Sequence, residues 1–156
     1  MNSANTLQAV RQLEQLNIDW LEQPVKADDI DAMVAIKAKT TIPLMIDEGL
    51  RGVRDMREII AKNAADKVNI KLMKCGGVAE ARKMITLARE LGMQVMIGCM
   101  TETRAGISAA TTLSPLVDYA DLDGHVLLGN DPYDGIQIVD GKLTLVDKPG
   151  TGVTPL

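Results

Sequence analysis

Five short apolar runs, each followed by a helix-like stretch, constrain this chain more than any other feature of it. They are "IDWLEQP" (18–24), "IPLMIDE" (42–48), "KVNIKLMK" (67–74), "MQVMIGCM" (93–100) and "VDYADLDG" (117–124). Glu22, Asp47, Lys71, Cys99 and Asp123 stand at or near their C-terminal ends, spaced by 25, 24, 28 and 24 residues. One strand and one crossover helix fill such an interval, so the spacing predicts about five parallel βα units in an α/β fold. The segments between carry helix punctuation. Residues 5–16 put Leu7, Val10, Leu13 and Leu16 on one stripe, and Asp28 or Asp29 can cap "DIDAMVAIKAK". Gly52 precedes "VRDMREIIAKNA", and "VAEARKMITLAREL" stops at Gly92, an expected left-handed cap. The tail "IQIVDGKLTLVDKPGTGV" has Asp-Gly between two alternating stretches and predicts a β-hairpin.

With 156 residues, 46% of them hydrophobic, the chain can bury one core. Seventeen basic against twenty-one acidic residues, and only three aromatics (Trp20, Tyr119, Tyr133), argue against nucleic acid as a partner, because neutralising charge and stacking surfaces are both short. No apolar run reaches the roughly 18–20 residues that span a bilayer, and "MNSANTLQAV" has no basic-then-apolar signal pattern. The expected location is the cytoplasm, with no membrane partner. Cys75 and Cys99 fit small semi-buried thiols in a reducing compartment, and nine methionines fit core filler.

The carboxyl ends of parallel strands form the face where ligands bind, so the polar residues at those ends are expected to converge. Glu22 and Asp47 offer hard oxygens from neighbouring strands, suited to Mg²⁺ or, in its place, Mn²⁺. Glu48 points to the opposite side if the pleat continues. Lys71, one strand further round, sits in an apolar run where a charge is costly unless it is paired or used. Burial and a neighbouring cation are both expected to lower its pKa, making it a proton acceptor. Lys74 falls beyond the expected strand and reads as a flanking or solvated charge. Gly76 and Gly77 allow a close turn. Asp121 and Asp123, two apart on a strand, face one way and can hold a substrate ammonium. Glu102 and Arg104 in "GCMTETRAG" offer polar contacts, and His125 reads as a surface residue.

"WLEQPV", "PLMIDEGL", "VNIKLMKCGG", "IGCMTETRAGI" and "DLDGHVL", in this order and spacing, resemble the C-terminal part of the barrel in the enolase superfamily's muconate-lactonizing subgroup, most of all its dipeptide epimerases of the L-Ala-D/L-Glu type. The resemblance covers the chain from about residue 5. It implies a partial TIM-type (β/α) barrel over 1–130, with a hairpin and tail over 131–156 packing on it. It also implies an isomerase chemistry: Mg²⁺ on Glu22 and Asp47, Lys71 abstracting the proton α to a carboxylate to give an enediolate, and Asp121 and Asp123 holding the α-ammonium of a dipeptide or other carboxylate substrate, with Glu102 nearby. The family places a Lys-x-Lys base and an Asp-Ala-Asn metal acid on earlier strands, and Ser3 stands where that acid is expected. The expectation is a truncated form, inactive alone, that forms homo-oligomers through open sheet edges or requires an N-terminal half.

Three other readings share these residues. One is a non-catalytic oligomeric remnant. Another is a lysine Schiff-base lyase. The third is a different member of the subgroup, such as an N-acylamino-acid racemase, a cycloisomerase or an o-succinylbenzoate synthase, against which the Asp121/Asp123 pair discriminates.

Overall fold

The computed structural model describes the backbone of residues 3–156 and the side chains of residues 5–156. Ser3, discussed above, therefore lies outside the residues whose side chains are described. Five parallel strands, β1 (Leu21–Glu22), β2 (Leu44–Ile46), β3 (Lys67–Lys71), β4 (Gln94–Gly98) and β5 (Tyr119–Ala120), form one sheet in sequence order. They alternate with α1 (Ser3–Leu13), α2 (Ile30–Lys37), α3 (Val53–Ala61), the single turn α4 (Leu72–Cys75), α5 (Val78–Glu90) and α6 (Arg104–Thr111). The architecture is thus the partial (β/α) barrel that the spacing and the resemblance imply.

Local chemistry accounts for the helices. Asp29 caps α2 by accepting from the Ala32 N–H at 3.0 Å. α5 buries Ala81, Met84, Ile85 and Ala88, the i, i+3, i+4, i+7 stripe of an amphipathic helix, against the sheet. β2 is buried at every residue, as a strand covered on both faces must be. The end of α1 departs from the predicted stripe. The chain tightens into a 3₁₀ turn over Glu14–Leu16, which swings Leu16 off the apolar stripe and leaves it 66% exposed. Glu14 anchors that turn by accepting from Thr40 Oγ1 (2.8 Å) and the Thr41 N–H (3.1 Å).

The strands are shorter than the apolar runs that announced them. The third run continues past Lys71 as the helical turn α4, not as strand, and leaves it through Gly76 and Gly77 at φ 92° and 123°, a reversal that side chains disfavour. The hairpin is present: β7 (Gln137–Val139) pairs antiparallel with β8 (Lys142–Thr144) across Asp140 and Gly141, both at positive φ. β6 (Tyr133–Asp134) pairs with β9 (Thr154–Pro155), and Ile136 joins the main core. Among the described residues no helix is long and apolar enough to cross a membrane.

The inner face of the sheet carries polar side chains among Met45 and Met96, and its register orders them in layers. Near the N-terminal ends of the strands, Lys67 lies 4.8 Å from the ring centres of both Trp20 and Tyr119 and donates to Gln94 and to the Tyr119 hydroxyl. Trp20 precedes β1 and Tyr119 opens β5, the two edge strands, yet their rings are 5.0 Å apart. The sheet is therefore curled, and this curl aims the C-terminal ends of its strands at a common rim.

Candidate functional site

Two residues beyond Trp20 and Lys67, the same cross-sheet pairing brings Glu22 Oε1 to the side-chain amide of Asn69, which donates to it at 2.9 Å. One residue past β2, Asp47 is buried between two ammonium groups. Lys71 Nζ donates to Asp47 Oδ2 at 2.7 Å, and Lys74 Nζ reaches Oδ1, the Asp47 carbonyl and, at 3.3 Å, the Asn69 carbonyl. The three donors of Lys74 are all used, and its side chain is only 8% exposed. Lys74 is thus no solvated charge: ending β3 at Lys71 and coiling into α4 turns its side chain back over the strand end.

Charge directions follow from this arrangement. Burial disfavours the Asp47 carboxylate, but the two lysines outweigh it and its pKa lies below the ordinary value. Burial also works against the Lys71 ammonium, yet Asp47, with Glu22 and Glu48 behind it, holds the pKa of Lys71 above normal. The contact with Asp47 thus opposes the lowering expected from burial and a neighbouring cation. For Lys74 burial prevails over Asp47, and its pKa is lowered. Glu48 lies beyond the last ladder residue of β2, so the pleat argument does not place it, and its field reaches both lysines.

A second braced element is the exit from β1. Gln23 has φ 38°, a strained value for a side chain of its kind. Its Oε1 accepts from the N–H groups of Asp47 (3.0 Å) and Gly49 (3.1 Å), which fixes the loop that presents Asp47.

The other candidates gather around Cys99. Burial pushes its thiol pKa up, and the fields of Asp121, Glu102 and Asp123 add to the shift. Asp121 and Asp123 are both exposed with Leu122 buried between them, but β5 ends at Ala120 and Asp123 has helical dihedrals, so the strand pleat expected to face them one way does not extend to them. Glu102 accepts from the Met100 N–H at 3.1 Å and rests on Gly106, bracing the loop before α6. Glu22, Asp47 and Lys71 therefore lie together, the first and last as the final residues of β1 and β3 and Asp47 one residue past β2, while Glu102, Asp121 and Asp123 sit on the loops that follow β4 and β5.

His125, expected on the surface, is 2% exposed. The 3₁₀ turn Gly124–Leu127 folds it inward beside Arg104 of α6 and Asp131, which accepts from the Arg104 N–H at 2.7 Å. Burial lowers the His125 pKa and Arg104 adds to this, while Asp131, Asp123 and a backbone hydrogen bond at Leu122 oppose it. With a folded pKa below the unfolded value of about 6.5, the unfolded chain binds the proton more readily. The contribution of His125 to stability is thus complete above that pH and is lost as pH falls toward the folded pKa. Urea midpoints are expected to drop between pH 7.5 and 5.5, and His125→Asn is expected to flatten that drop.

Glu22 and Asp47 offer the hard oxygens that Mg²⁺ prefers, and Glu22 Oε2 has no hydrogen-bond partner among the described residues. Among the described residues no group of three or more His, Cys, Asp or Glu is arranged to hold a metal. The donor chemistry of these two acids suits a divalent cation, with both Asp47 oxygens engaged by lysine ammonium groups.

A family model described as enolase C-terminal domain-like matches residues 1–156. The chain is 46% identical over 147 residues to the L-Ala-D/L-Glu epimerase of Bacteroides thetaiotaomicron, covering 94% of this chain and 38% of that protein. The crystal structure of N-succinyl Arg/Lys racemase from Bacillus cereus superposes with a TM-score of 0.94 at 46% identity, over 99% of this chain and 42% of that one. That of a dipeptide epimerase from Cytophaga hutchinsonii, complexed with Mg and the dipeptide D-Ala-L-Val, superposes with a TM-score of 0.93 at 27% identity, over 100% and 44%. The chain thus spans about two fifths of the length of these relatives.

Proposed function

Because the chain belongs to the enolase C-terminal domain-like family, we propose that it carries one half of a Mg²⁺-dependent dipeptide epimerase site, acting on the proton α to a carboxylate. The observation that supports this most is the contact of Lys71 Nζ with Asp47 Oδ2 at 2.7 Å, with Glu22 close enough to act on the same lysine. Glu22 and Asp47 would hold the cation, which when bound supplies positive charge against the carboxylate of the substrate. Lys71 is the proton-transfer group: its side chain is 14% exposed and makes one hydrogen bond, so it can swing, whereas Lys74 is held by three acceptors. When Asp47 turns from Lys71, the ammonium loses the carboxylate that keeps its proton, releases that proton to solvent, and as the free amine can take one from the α-carbon. Asp121 and Asp123 would hold the ammonium end of a dipeptide, and Glu102 would line the same side.

Lys71 serves one face of the α-carbon. The base for the opposite face and a third metal acid are proposed to come from outside these 156 residues, so that this segment by itself turns over little or nothing. The edges β1 and β5 are where such a segment, or a second copy, would pair. A second reading, an N-acylamino-acid racemase, is favoured by the N-succinyl Arg/Lys racemase relationship. In that case the Asp121/Asp123 pair would face an acylated substrate with no free α-ammonium.

Cation binding tests the shared half of both readings. Millimolar Mg²⁺ is expected to raise the melting temperature by several degrees, since a ligand at about 100 times its Kd adds roughly 2.7 kcal/mol. Glu22→Gln, a change at an exposed position, is expected to remove the shift. An equal shift in the variant would disconnect Glu22 from the cation.

A further inference from the structure

Asn69 lies two residues before Lys71 on β3, so both side chains face the sheet's interior. It is 2% exposed and reaches across β2 to donate from Nδ2 to Glu22 Oε1 at 2.9 Å. The amide orientation is dictated by chemistry, because an ionised carboxylate only accepts. Asn69 Oδ1 then lies on the far side, buried and without a partner, which is uncommon for a buried polar atom. It rests against Gly98 on β4, where a Cβ would stand 2.4 Å from it. The amide is therefore gripped from both sides, by Glu22 and by the bare backbone of Gly98.

We propose that Asn69 is a positioning residue for Glu22. It anchors Oε1 and leaves Oε2 to the ligand, and Gly98 is glycine because this amide occupies the space of a side chain. The proposal rests on the reading of Glu22 as a cation ligand. Its distinguishing feature is the donated N–H, which the nearly isosteric aspartate lacks. Asn69→Asp keeps the fit against Gly98 while setting a carboxylate against Glu22, and Asn69→Ala removes the anchor with no added charge.

The test measures Mn²⁺ binding to the full chain by electron paramagnetic resonance, with metal-free melting curves identifying any variant that is not folded. Partners that orient a metal-ligating carboxylate are typically worth about 10–100-fold in metal affinity, and that loss is expected for Asn69→Asp and Asn69→Ala. Gly98→Ala is expected to weaken binding in the same direction by displacing the amide. Binding by Asn69→Asp as tight as that of the parent chain would overturn the proposal, since shape alone would then suffice. A metal-free readout separates this from the reading on which it rests. The Asn69 side-chain amide resonances are expected to shift in Glu22→Gln, which removes the carboxylate that accepts from Nδ2. Should the parent chain take no Mn²⁺ while the amide responds to that substitution, the cation reading fails and the positioning stands. An amide indifferent to Glu22→Gln overturns the positioning itself.

Discussion

Asp47→Asn is expected to destabilise the fold by about 3–5 kcal/mol, the usual result of removing one partner from a buried ion pair. For a chain of 156 residues this corresponds to a fall in melting temperature of roughly 6–20 °C. The cost arises from Lys74. Lys71 has one bond to lose and can turn to solvent, but Lys74 is enclosed, and its remaining acceptors, two backbone carbonyls and the amide oxygen that the substitution leaves, are all neutral. Its charge would then be desolvated with no counter-charge in contact, and its pKa, already depressed by burial, would fall further. If this is the cause, Lys74→Met should recover much of the loss in the Asp47→Asn background while being costly alone, a coupling that a double-mutant cycle measures. A loss below about 1 kcal/mol for Asp47→Asn would mean that the cluster behaves as a surface pair.

The second large effect concerns turnover. Fusing the preceding part of the Bacteroides thetaiotaomicron epimerase to this chain would supply strands for the open edge at β1. In such a chimera Lys71→Met is expected to lower α-proton exchange by about 10²–10⁴-fold, the range for a positioned acid–base group. Substrate affinity should change much less, because Lys71 acts on the proton and not on the ends of the substrate. The fold should tolerate the change, given that Lys71 makes a single side-chain hydrogen bond. Lys74→Met should show the reverse pattern: a loss of stability that precedes any specific loss of rate.

The alternation of strand and helix was legible because parallel strands buried on both faces are written as continuous apolar runs, and β2 and β3 are buried almost throughout. The strand ends were not legible, since an apolar run does not record where the ladder stops. Leu72 and Met73 read as strand but begin α4, and this hid the return of Lys74 to Asp47. The same error extended β5 through Asp121 and Asp123. The convergence of Glu22, Asp47 and Lys71 follows from the repeat alone, whereas the pKa direction of Lys71 depends on a contact distance that no spacing encodes. Asn69 was within reach: it shares the parity of Lys71 on a buried strand, where an amide needs a reason. His125 was not, because its burial comes from a turn that seats it on α6 and Asp131, with no local pattern to announce it.

The claim that one rim brings a cation and an amine to a single molecule is tested most directly by proton NMR of L-Ala-L-Glu in D₂O with the chimera. The α-proton signal of the glutamate residue should fade in the presence of Mg²⁺, and should persist with EDTA, with Lys71→Met or with Glu22→Gln. Exchange that continues undiminished without Lys71, or a folded and Mg²⁺-bound chimera that exchanges none, would contradict it.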